Sequence, residues 1–261
     1  MLFGPLLQKF GVLITWLIST SLIFLRYLFF AGLAYMIFYV WKKRSLLQFK
    51  IQKHFPAKSQ VRTELMYSLL SGTIFGLFAL AIFWMNANGW TLMYRDIEKY
   101  GYAYLVLSLV LMILFHDAYF YWTHRLMHHP KMFKHFHKVH HLSYNPTPWA
   151  AFAFHPLEAV IEFAVLLIAI CIIPMHPLVI LSWSIWMIVW NVIGHLGFEI
   201  FPIGSIKHPF FKWVNTSTHH NLHHEKSQGN YGLYFNIWDR WMGTNQKDYE
   251  QVFTTLKENQ V

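Results

Sequence analysis

Residues 103–128 read AYLVLSLVLMILFHDAYFYWTHRLMH, an apolar run that ends in regularly spaced histidines. A helix needs about 20 mainly apolar residues to cross the roughly 30 Å hydrocarbon core of a bilayer, and residues 103–121 come close to that length. His124 and His128 follow at a spacing of four, which places both rings on one face of the same helix. This stretch therefore predicts a membrane span that ends in a pair of potential metal ligands.

The rest of the chain shares this apolar character. Of its 261 residues, 56% are hydrophobic and 13% are charged, whereas soluble globular chains have about 25% charged residues. The single cysteine, Cys171, lies inside an apolar run, so a disulfide framework and a cysteine metal site are both excluded. The net charge of +9 comes from basic residues between apolar runs. That distribution favours anionic lipid headgroups over nucleic acid as the partner.

Hydropathy and the residues that interrupt apolar runs divide the chain into five predicted spans. The first contains Arg26; it is one tilted helix or a broken pair, and we favour one helix. The fourth is short and carries Glu158 and Glu162, so whether it crosses fully stays open. Pro174 and Pro177 indicate a tight hairpin between the last two spans. We predict a single all-α, multi-pass membrane domain over residues 1–261, with spans at residues 12–41, 65–85, 103–121, 157–173 and 178–195.

Basic residues predict which side of the membrane each loop occupies. Short cytoplasmic loops are enriched in lysine and arginine. Seven such residues follow the first span: Lys42, Lys43, Arg44, Lys50, Lys53, Lys58 and Arg62. With this loop inside, 17 lysines and arginines lie on the inner side and 3 on the outer side. The segments that contain residues 124–141 and 219–224 are then cytoplasmic.

Histidines are concentrated in one part of the chain, because 16 of the 17 fall between His116 and His224. Two separate segments, residues 137–141 and 220–224, repeat the pattern His-x-x-His-His, in which all three rings can share a helix face. A structural zinc takes four ligands, so nine or ten imidazoles fit two ions better than one. The candidate metal ligands are His124, His128, His137, His140, His141, His195, His219, His220, His223 and His224. For the isolated histidines we favour core or capping roles.

Ligand type alone leaves the metal open. Imidazole suits zinc, copper, iron and nickel alike. Carboxylates are scarce near the cluster, unlike in the glutamate-rich di-iron helical bundles.

The ordered histidine motifs carry a family resemblance. The segments HDAYFYWTHRLMH (116–128), HKVHH (137–141) and THHNLHH (218–224) resemble the three histidine boxes of the fatty acid hydroxylase and sterol desaturase superfamily. The segments NYG (230–232) and WDRWMGT (238–244) are also typical of it. The resemblance covers roughly residues 100–245 and is specific for the superfamily but not for the substrate.

This resemblance implies an oxygen-dependent di-iron enzyme that acts on lipids in the bilayer. Two irons would be the cofactors, with zinc able to replace them in purified protein. Eight of the candidate ligands match the boxes, His195 matches less securely, and His155 and His219 stay open. Asp117 and Glu158 are candidate catalytic residues, since intramembrane ionisable groups are functional candidates and Asp117 can orient an imidazole through a hydrogen bond. The chain has no glycine-rich dinucleotide fingerprint, so we expect a separate reductase or electron carrier.

Three functions remain as alternatives at this stage. We place hydroxylation of an unactivated C–H bond of a fatty acyl, sterol or related lipid first, and desaturation by the same site second. The third, of another class, is a membrane metal transporter or metal-storage protein. Transport would require metal-binding groups along the spans, whereas most of these histidines follow the spans on one side.

Overall fold

The computed structural model describes residues 3–258, with side chains from residue 9 onward. Within this part of the chain the regular structure is helical, and the only strand-like pairings are isolated bridges between Lys50 and Phe198 and between Val214 and Phe235. The predicted all-α fold is confirmed.

Long apolar helices form the membrane part. Helix α1 has a kink at Gly11, where φ is 75°, and continues into a π-helical turn, Met36–Trp41. Helix α5 (Pro156–Ile172) has 17 residues and is shorter than the others. Four helices are long and apolar enough to cross a bilayer: α1 (Phe3–Tyr35), α2 (Lys58–Ala87), α3 (Gly101–Met127) and α6 (Pro177–Gly194). The chain is therefore a multi-pass membrane protein.

Small residues let α1 and α2 approach closely. A Cβ added at Gly76 would lie 2.0 Å from Oγ1 of Thr20, and one at Gly72 would lie 2.3 Å from the Phe24 ring. Membrane helices use glycine in this way, because packing rather than the hydrophobic effect holds them together in lipid. The outer faces remain apolar, as at Leu25 on α1, which is 63% exposed.

All five long helices have one end at the same face of the molecule. The ends of α1, α3 and α6 and the beginnings of α2 and α5 lie there, near the histidines. At the opposite face, the segment before α3 is hydrogen-bonded to the α5–α6 turn, with Leu92 N donating to Ile170 O (2.8 Å) and Tyr94 N to Met175 O (3.2 Å). The topology thus gathers the histidine segments at one end of the bundle.

A cap of short helices covers this end: α4 (Pro130–Phe136), α7 (Ser217–Lys226), α8 (Ile237–Trp241) and α9 (Tyr249–Glu258). The segment between α1 and α2 ties the cap to the bundle. Gln52 Nε2 donates to Tyr144 O (2.9 Å) and to Asn221 Oδ1 (3.0 Å) on α7. Lys50 is fully buried, and its Nζ donates to Asn145 Oδ1 (3.0 Å). These bonds fix the cap against the ends of the spans.

Candidate metal centre

Nine histidines converge into two groups at the capped end of the bundle. Each ring offers one nitrogen, and within each group those nitrogens lie within 4.8 Å of one another. The five-histidine group consists of His124, His128, His137, His141 and His223. The four-histidine group consists of His140, His195, His220 and His224. All four members of the second group are buried, whereas His128 and His141 of the first are half-buried.

Each His-x-x-His-His motif divides its rings between the two groups. On α7, His220 and His224 belong to the four-histidine group and His223 to the other. Successive α-helical residues turn by about 100°. His224 therefore lies about 40° from His220 around the helix axis, whereas His223 lies about 60° from it in the opposite direction. In residues 137–141 the division is reversed, because only the middle histidine, His140, joins the four-histidine group. The two motifs therefore link both groups into one centre.

Hydrogen bonds on the outer nitrogens fix the tautomers in the five-histidine group. His124 Nδ1 lies 2.8 Å from Tyr231 O, and His223 Nδ1 lies 2.7 Å from Gly229 O. A carbonyl oxygen only accepts, so Nδ1 carries the hydrogen and Nε2 of the neutral ring is left with a bare lone pair. Yet the Nε2 atoms face each other, at 3.1 Å between His141 and His223 and 2.9 Å between His124 and His137.

The four-histidine group repeats this arrangement. His195 Nδ1 lies 2.7 Å from Asn191 O, and His140 Nδ1 lies 3.3 Å from Ala153 O. The Nε2 atoms of these two rings are 3.1 Å apart, and His220 Nε2 lies 3.1 Å from each of its neighbours in the group, His195 and His224. Lone pairs that face each other in a buried site repel unless a cation lies between them. The donor set of each group therefore fits a metal ion, with the outer acceptors orienting the ligands.

Burial keeps these imidazoles unprotonated. Desolvation lowers the pKa of His141 to about 3 and moves the pKa values of His137 and His140 well below the ordinary range, and neighbouring imidazoles add to the effect. The same causes lower the pKa values of His220, His223 and His224. Because metal ligation requires the neutral ring, these imidazoles are in the metal-binding form at neutral pH.

The two candidate catalytic carboxylates hold different parts of the centre. Glu158 lies at the start of α5, is buried, and its Oε1 is 2.5 Å from His137 Nδ1. Asp117 on α3 is also buried, but its Oδ1 accepts backbone N–H bonds from Tyr234 (2.9 Å) and Phe235 (3.1 Å). Asp117 thus makes no hydrogen bond to an imidazole, and it acts on the loop whose Tyr231 carbonyl holds His124.

Of the ten candidate metal ligands named from the sequence, His219 lies outside both groups. It is buried, with Nε2 3.3 Å from Asn245 Oδ1 and 3.9 Å from Asp239 Oδ2. His155 is the N-cap of α5, where its Nδ1 accepts from Leu157 N (3.3 Å). Neither ring joins a group, although His219 Nδ1 is buried without a hydrogen-bond partner among the described residues.

Sequence reasoning missed the loop that supports His124. Asp239 Oδ1 accepts from Tyr231 N (2.8 Å), and its Oδ2 accepts from Gly232 N (2.7 Å). A Cβ at Gly232 would lie 2.3 Å from Phe235 O, so only glycine fits this fold of the loop. The motifs at 230–232 and 238–244 include these residues. The sequence cannot show that Tyr231 O is an acceptor, however, because every residue type has a backbone carbonyl.

An apolar cavity of about 470 Å³ lies in the membrane part, and none of the nine grouped histidines lines it. Binding sites for small molecules commonly have volumes of about 300–1,000 Å³. Its walls include Phe154, whose ring lies 5.2 Å from that of His140, and Asn191, whose carbonyl holds His195. They extend along α6 to Pro177, a length of about 21 Å at 1.5 Å per residue. The cavity therefore reaches residues that contact the four-histidine group, though not the imidazoles themselves.

The fold and these rings define a class: a multi-pass helical membrane protein with a buried polyhistidine centre beside an apolar cavity. The family model described as fatty acid hydroxylase matches residues 109–244. A lathosterol oxidase of Rattus norvegicus is 34% identical, with 72% of this chain and 62% of the relative covered. Delta(7)-sterol 5(6)-desaturases of Gibberella zeae and Aspergillus fumigatus are each 33% identical, covering 72% and 90% of this chain and 57% and 75% of the relative.

The chain belongs to the fatty acid hydroxylase family, which confirms the resemblance in the histidine boxes. It spans about three fifths of the length of the Gibberella and rat relatives. No solved structure is significantly similar to it.

Proposed function

We propose that this protein is an oxygen-dependent di-iron lipid oxidoreductase, and that it introduces a double bond into a sterol-like lipid. The observation that carries the proposal is the convergence of nine neutral imidazoles into two groups, one of which contacts residues that line an apolar cavity. Family membership favours iron over the other metals that imidazole suits.

The chain's own residues supply ligands, orientation and exclusion of water. The five-histidine and four-histidine groups would each hold one iron, with Glu158 and the carbonyls of Tyr231 and Asn191 fixing the ring orientations. When bound, the irons would supply the activation of dioxygen that removes hydrogen from an unactivated C–H bond. The cavity would place the lipid beside the four-histidine group and keep bulk water away from it.

Desaturation is our first candidate because the relatives named above are a lathosterol oxidase and Delta(7)-sterol 5(6)-desaturases. Hydroxylation, which the motifs alone placed first, remains the second candidate because the family model is that of a fatty acid hydroxylase. Both reactions would use the same centre and begin with removal of one hydrogen from the lipid. Desaturation then removes a second hydrogen, whereas hydroxylation adds a hydroxyl group to the lipid.

Electrons must come from outside the chain in either reaction. Reduction of dioxygen to water takes more electrons than the lipid supplies when it loses one pair of hydrogens, so an external donor is required. We propose that a separate reductase or electron carrier delivers them on the cytoplasmic side, where the basic residues that follow the first span would lie.

The test is lipid mass spectrometry of cells that express the protein under ¹⁸O₂. A desaturase gives a lipid that is lighter by two hydrogens and free of label, whereas a hydroxylase gives a lipid that carries one ¹⁸O. Cells that express His140→Ala serve as the control, because this variant lacks one candidate ligand. The absence of any lipid change under every supply of reductant would overturn the proposal.

Metal transport is disfavoured because the two groups lie at one end of the bundle rather than along a path across it. Metal-dependent uptake by proteoliposomes, without oxygen consumption, would reverse this preference.

A further inference from the structure

The exposed apolar face of α3 continues to the last turn of the helix, where the span meets the cap. Exposed side chains recur along α3 at multiples of four residues, at Val106, Val110, Leu114, Trp122 and Leu126. Positions four apart share one face of a helix. Because α3 is a membrane span, this face contacts lipid, and it still contacts lipid where the cap begins.

Helix α8 of the cap packs against this end of α3. The Trp238 ring lies 5.9 Å from the Trp122 ring and 5.7 Å from the Trp241 ring. Trp241 is 67% exposed, and Met242 after it is also exposed. The lipid face of α3 therefore continues onto α8.

Residues 208–213 extend the same surface. Asn236 N, directly before α8, donates to Trp213 O (2.9 Å), so this segment lies beside α8. Phe210 is 78% exposed, and Phe211 next to it is exposed as well. Large exposed apolar patches mark surfaces that bind a partner protein or a membrane. We call the whole surface the ledge; it consists of Trp122, Leu126, Phe210, Phe211, Trp241 and Met242.

The charged side chains beside the ledge are basic. Residues 205–213 contain Lys207 and Lys212 and no acidic residue, and among the described residues neither lysine forms an ion pair. The guanidinium of Arg125 lies 5.9 Å from the Trp122 ring. The single acidic residue of α8 is buried. The ledge thus combines exposed aromatic rings with positive charge.

We propose that the ledge binds the membrane surface at the capped end of the bundle, and that it prefers anionic phospholipid there. Surfaces that lie in the membrane interface combine Trp, Phe and Leu with Lys and Arg. The exposed rings lie among the upper acyl chains, and the lysines and Arg125 contact the acidic oxygens of headgroups. Continuity with the lipid face of α3 favours a membrane over a partner protein. The inference concerns the cap and depends on neither the metals nor the reaction.

The first experiment measures whether the ledge lies in the bilayer. Full-length protein is reconstituted at one copy per nanodisc with an NBD fluorophore on one cysteine, at Phe210→Cys or Met242→Cys. The background is Cys171→Ser, because Cys171 is the only native cysteine and is exposed. We expect phospholipids with a nitroxide on the upper acyl chain to quench both labels severalfold more strongly than a label at Leu142→Cys. Iodide in the water should show the reverse order.

Leu142 is the matched control for position. It is 52% exposed and apolar, like the ledge, but it lies in the segment whose Tyr144 hydroxyl contacts the acidic Glu225 on α7 (3.4 Å). A difference between the labels therefore reports where each residue lies rather than how apolar it is. Thermal melting establishes that every variant is folded.

The second experiment measures the preference for anionic lipid. Two discs have the same overall composition and carry the nitroxide either on phosphatidylserine or on phosphatidylcholine. We expect the label at Phe210→Cys to be quenched at least about twofold more by labelled phosphatidylserine, because lysines attract anionic headgroups. Lys207→Gln with Lys212→Gln should remove this difference and leave quenching by labelled phosphatidylcholine unchanged. Lys53→Gln with Lys58→Gln, which removes equal charge from exposed positions outside the ledge, should retain it.

Three results would each overturn the inference. Equal nitroxide quenching at Phe210→Cys and Leu142→Cys would show that the ledge lies in water. Equal quenching by the two labelled lipids would show that it does not select anionic headgroups. Shielding of the ledge from both quenchers only in discs that hold two copies would assign it to a contact between copies of this chain.

Discussion

The two histidine groups use the same ligand but have different surroundings. The five-histidine group has two half-buried members, and it adjoins a surface cleft lined by His128, Lys134 and Ser227. The four-histidine group is wholly buried and contacts Phe154 and Asn191, which line the apolar cavity. The five-histidine group thus lies near the aqueous surface, and the four-histidine group lies closer to the apolar interior of the membrane part.

The outer hydrogen bonds of the two groups differ as well. Side chains contribute to the five-histidine group, through Glu158 on His137 and Ser227 Oγ on His141 at 3.1 Å. For the four-histidine group the outer acceptors are the backbone carbonyls of Ala153 and Asn191. This difference teaches that mutation of neighbouring side chains can tune the first group, whereas backbone carbonyls fix two rings of the second and His224 Nδ1 is buried without a partner among the described residues. The four-histidine group also has one imidazole fewer.

Loss of a ligand should give the largest effect. His140→Ala removes a ring from the four-histidine group, so we expect product to fall at least about a hundredfold, beyond the 10–100-fold typical of outer-sphere changes. Bound iron should decrease from two ions per chain toward one, while membrane insertion is unchanged. Metal analysis and the lipid assay measure both. His54→Ala is the control, because His54 is exposed and belongs to neither group; equal activity of both variants would show that the groups are not the centre.

Removal of the Glu158 carboxylate should affect the five-histidine group selectively. Glu158→Gln weakens the hydrogen bond to His137, and we expect a 10–100-fold loss of metal affinity or activity. Ser227→Ala, which removes a neutral hydroxyl from His141, should cost less. Titration of the metal-free protein with iron should show one weakened and one unchanged site. Equal weakening of both sites would contradict a role of Glu158 that is limited to the five-histidine group.

The Asp117 carboxylate should stabilise the loop rather than act in the reaction. Asp117→Ala leaves the N–H groups of Tyr234 and Phe235 without their acceptor, at a cost of about 1–3 kcal/mol for a buried donor. We expect a lower melting temperature and a moderate loss of activity. Asp117→Asn keeps an acceptor oxygen and should restore most of both. An inactive Asp117→Asn variant with wild-type stability would instead place Asp117 in the chemistry.

The smallest effect is expected from a methyl group behind the four-histidine group. A Cβ at Gly194 would lie 3.3 Å from His220 Cδ2, so Gly194→Ala should displace that ring by a few tenths of an ångström. A misplacement of 1 Å can cost about a hundredfold in rate, and we expect a severalfold decrease in turnover with both irons retained. Gly204→Ala, where the added methyl meets open space, is the control. An unchanged rate in Gly194→Ala would show that this group tolerates movement.

Local sequence predicted the helical fold and nearly all of the candidate ligands. Apolar length and the i, i+4 spacing of His124 and His128 are properties of one segment, so they indicate helices and shared faces without knowledge of the rest. Nine of the ten predicted ligands come together in the two groups. His219 follows the same pattern but lies elsewhere, because the hydrogen bonds of Asn245 and the neighbouring Asp239 depend on chain that is distant in sequence.

The sequence by itself determined that this chain is an all-α membrane protein with enough imidazoles for two ions. Hydrophobicity and helical periodicity are local properties, so they can be determined from each segment alone. Only the tertiary structure decided that each His-x-x-His-His motif serves both groups, that backbone carbonyls set the tautomers, and that Arg26 and Glu162 share one cavity. Several of these features arise where distant segments meet, as with His124 and Tyr231, which are 107 residues apart, and no local pattern encodes which partners they find there.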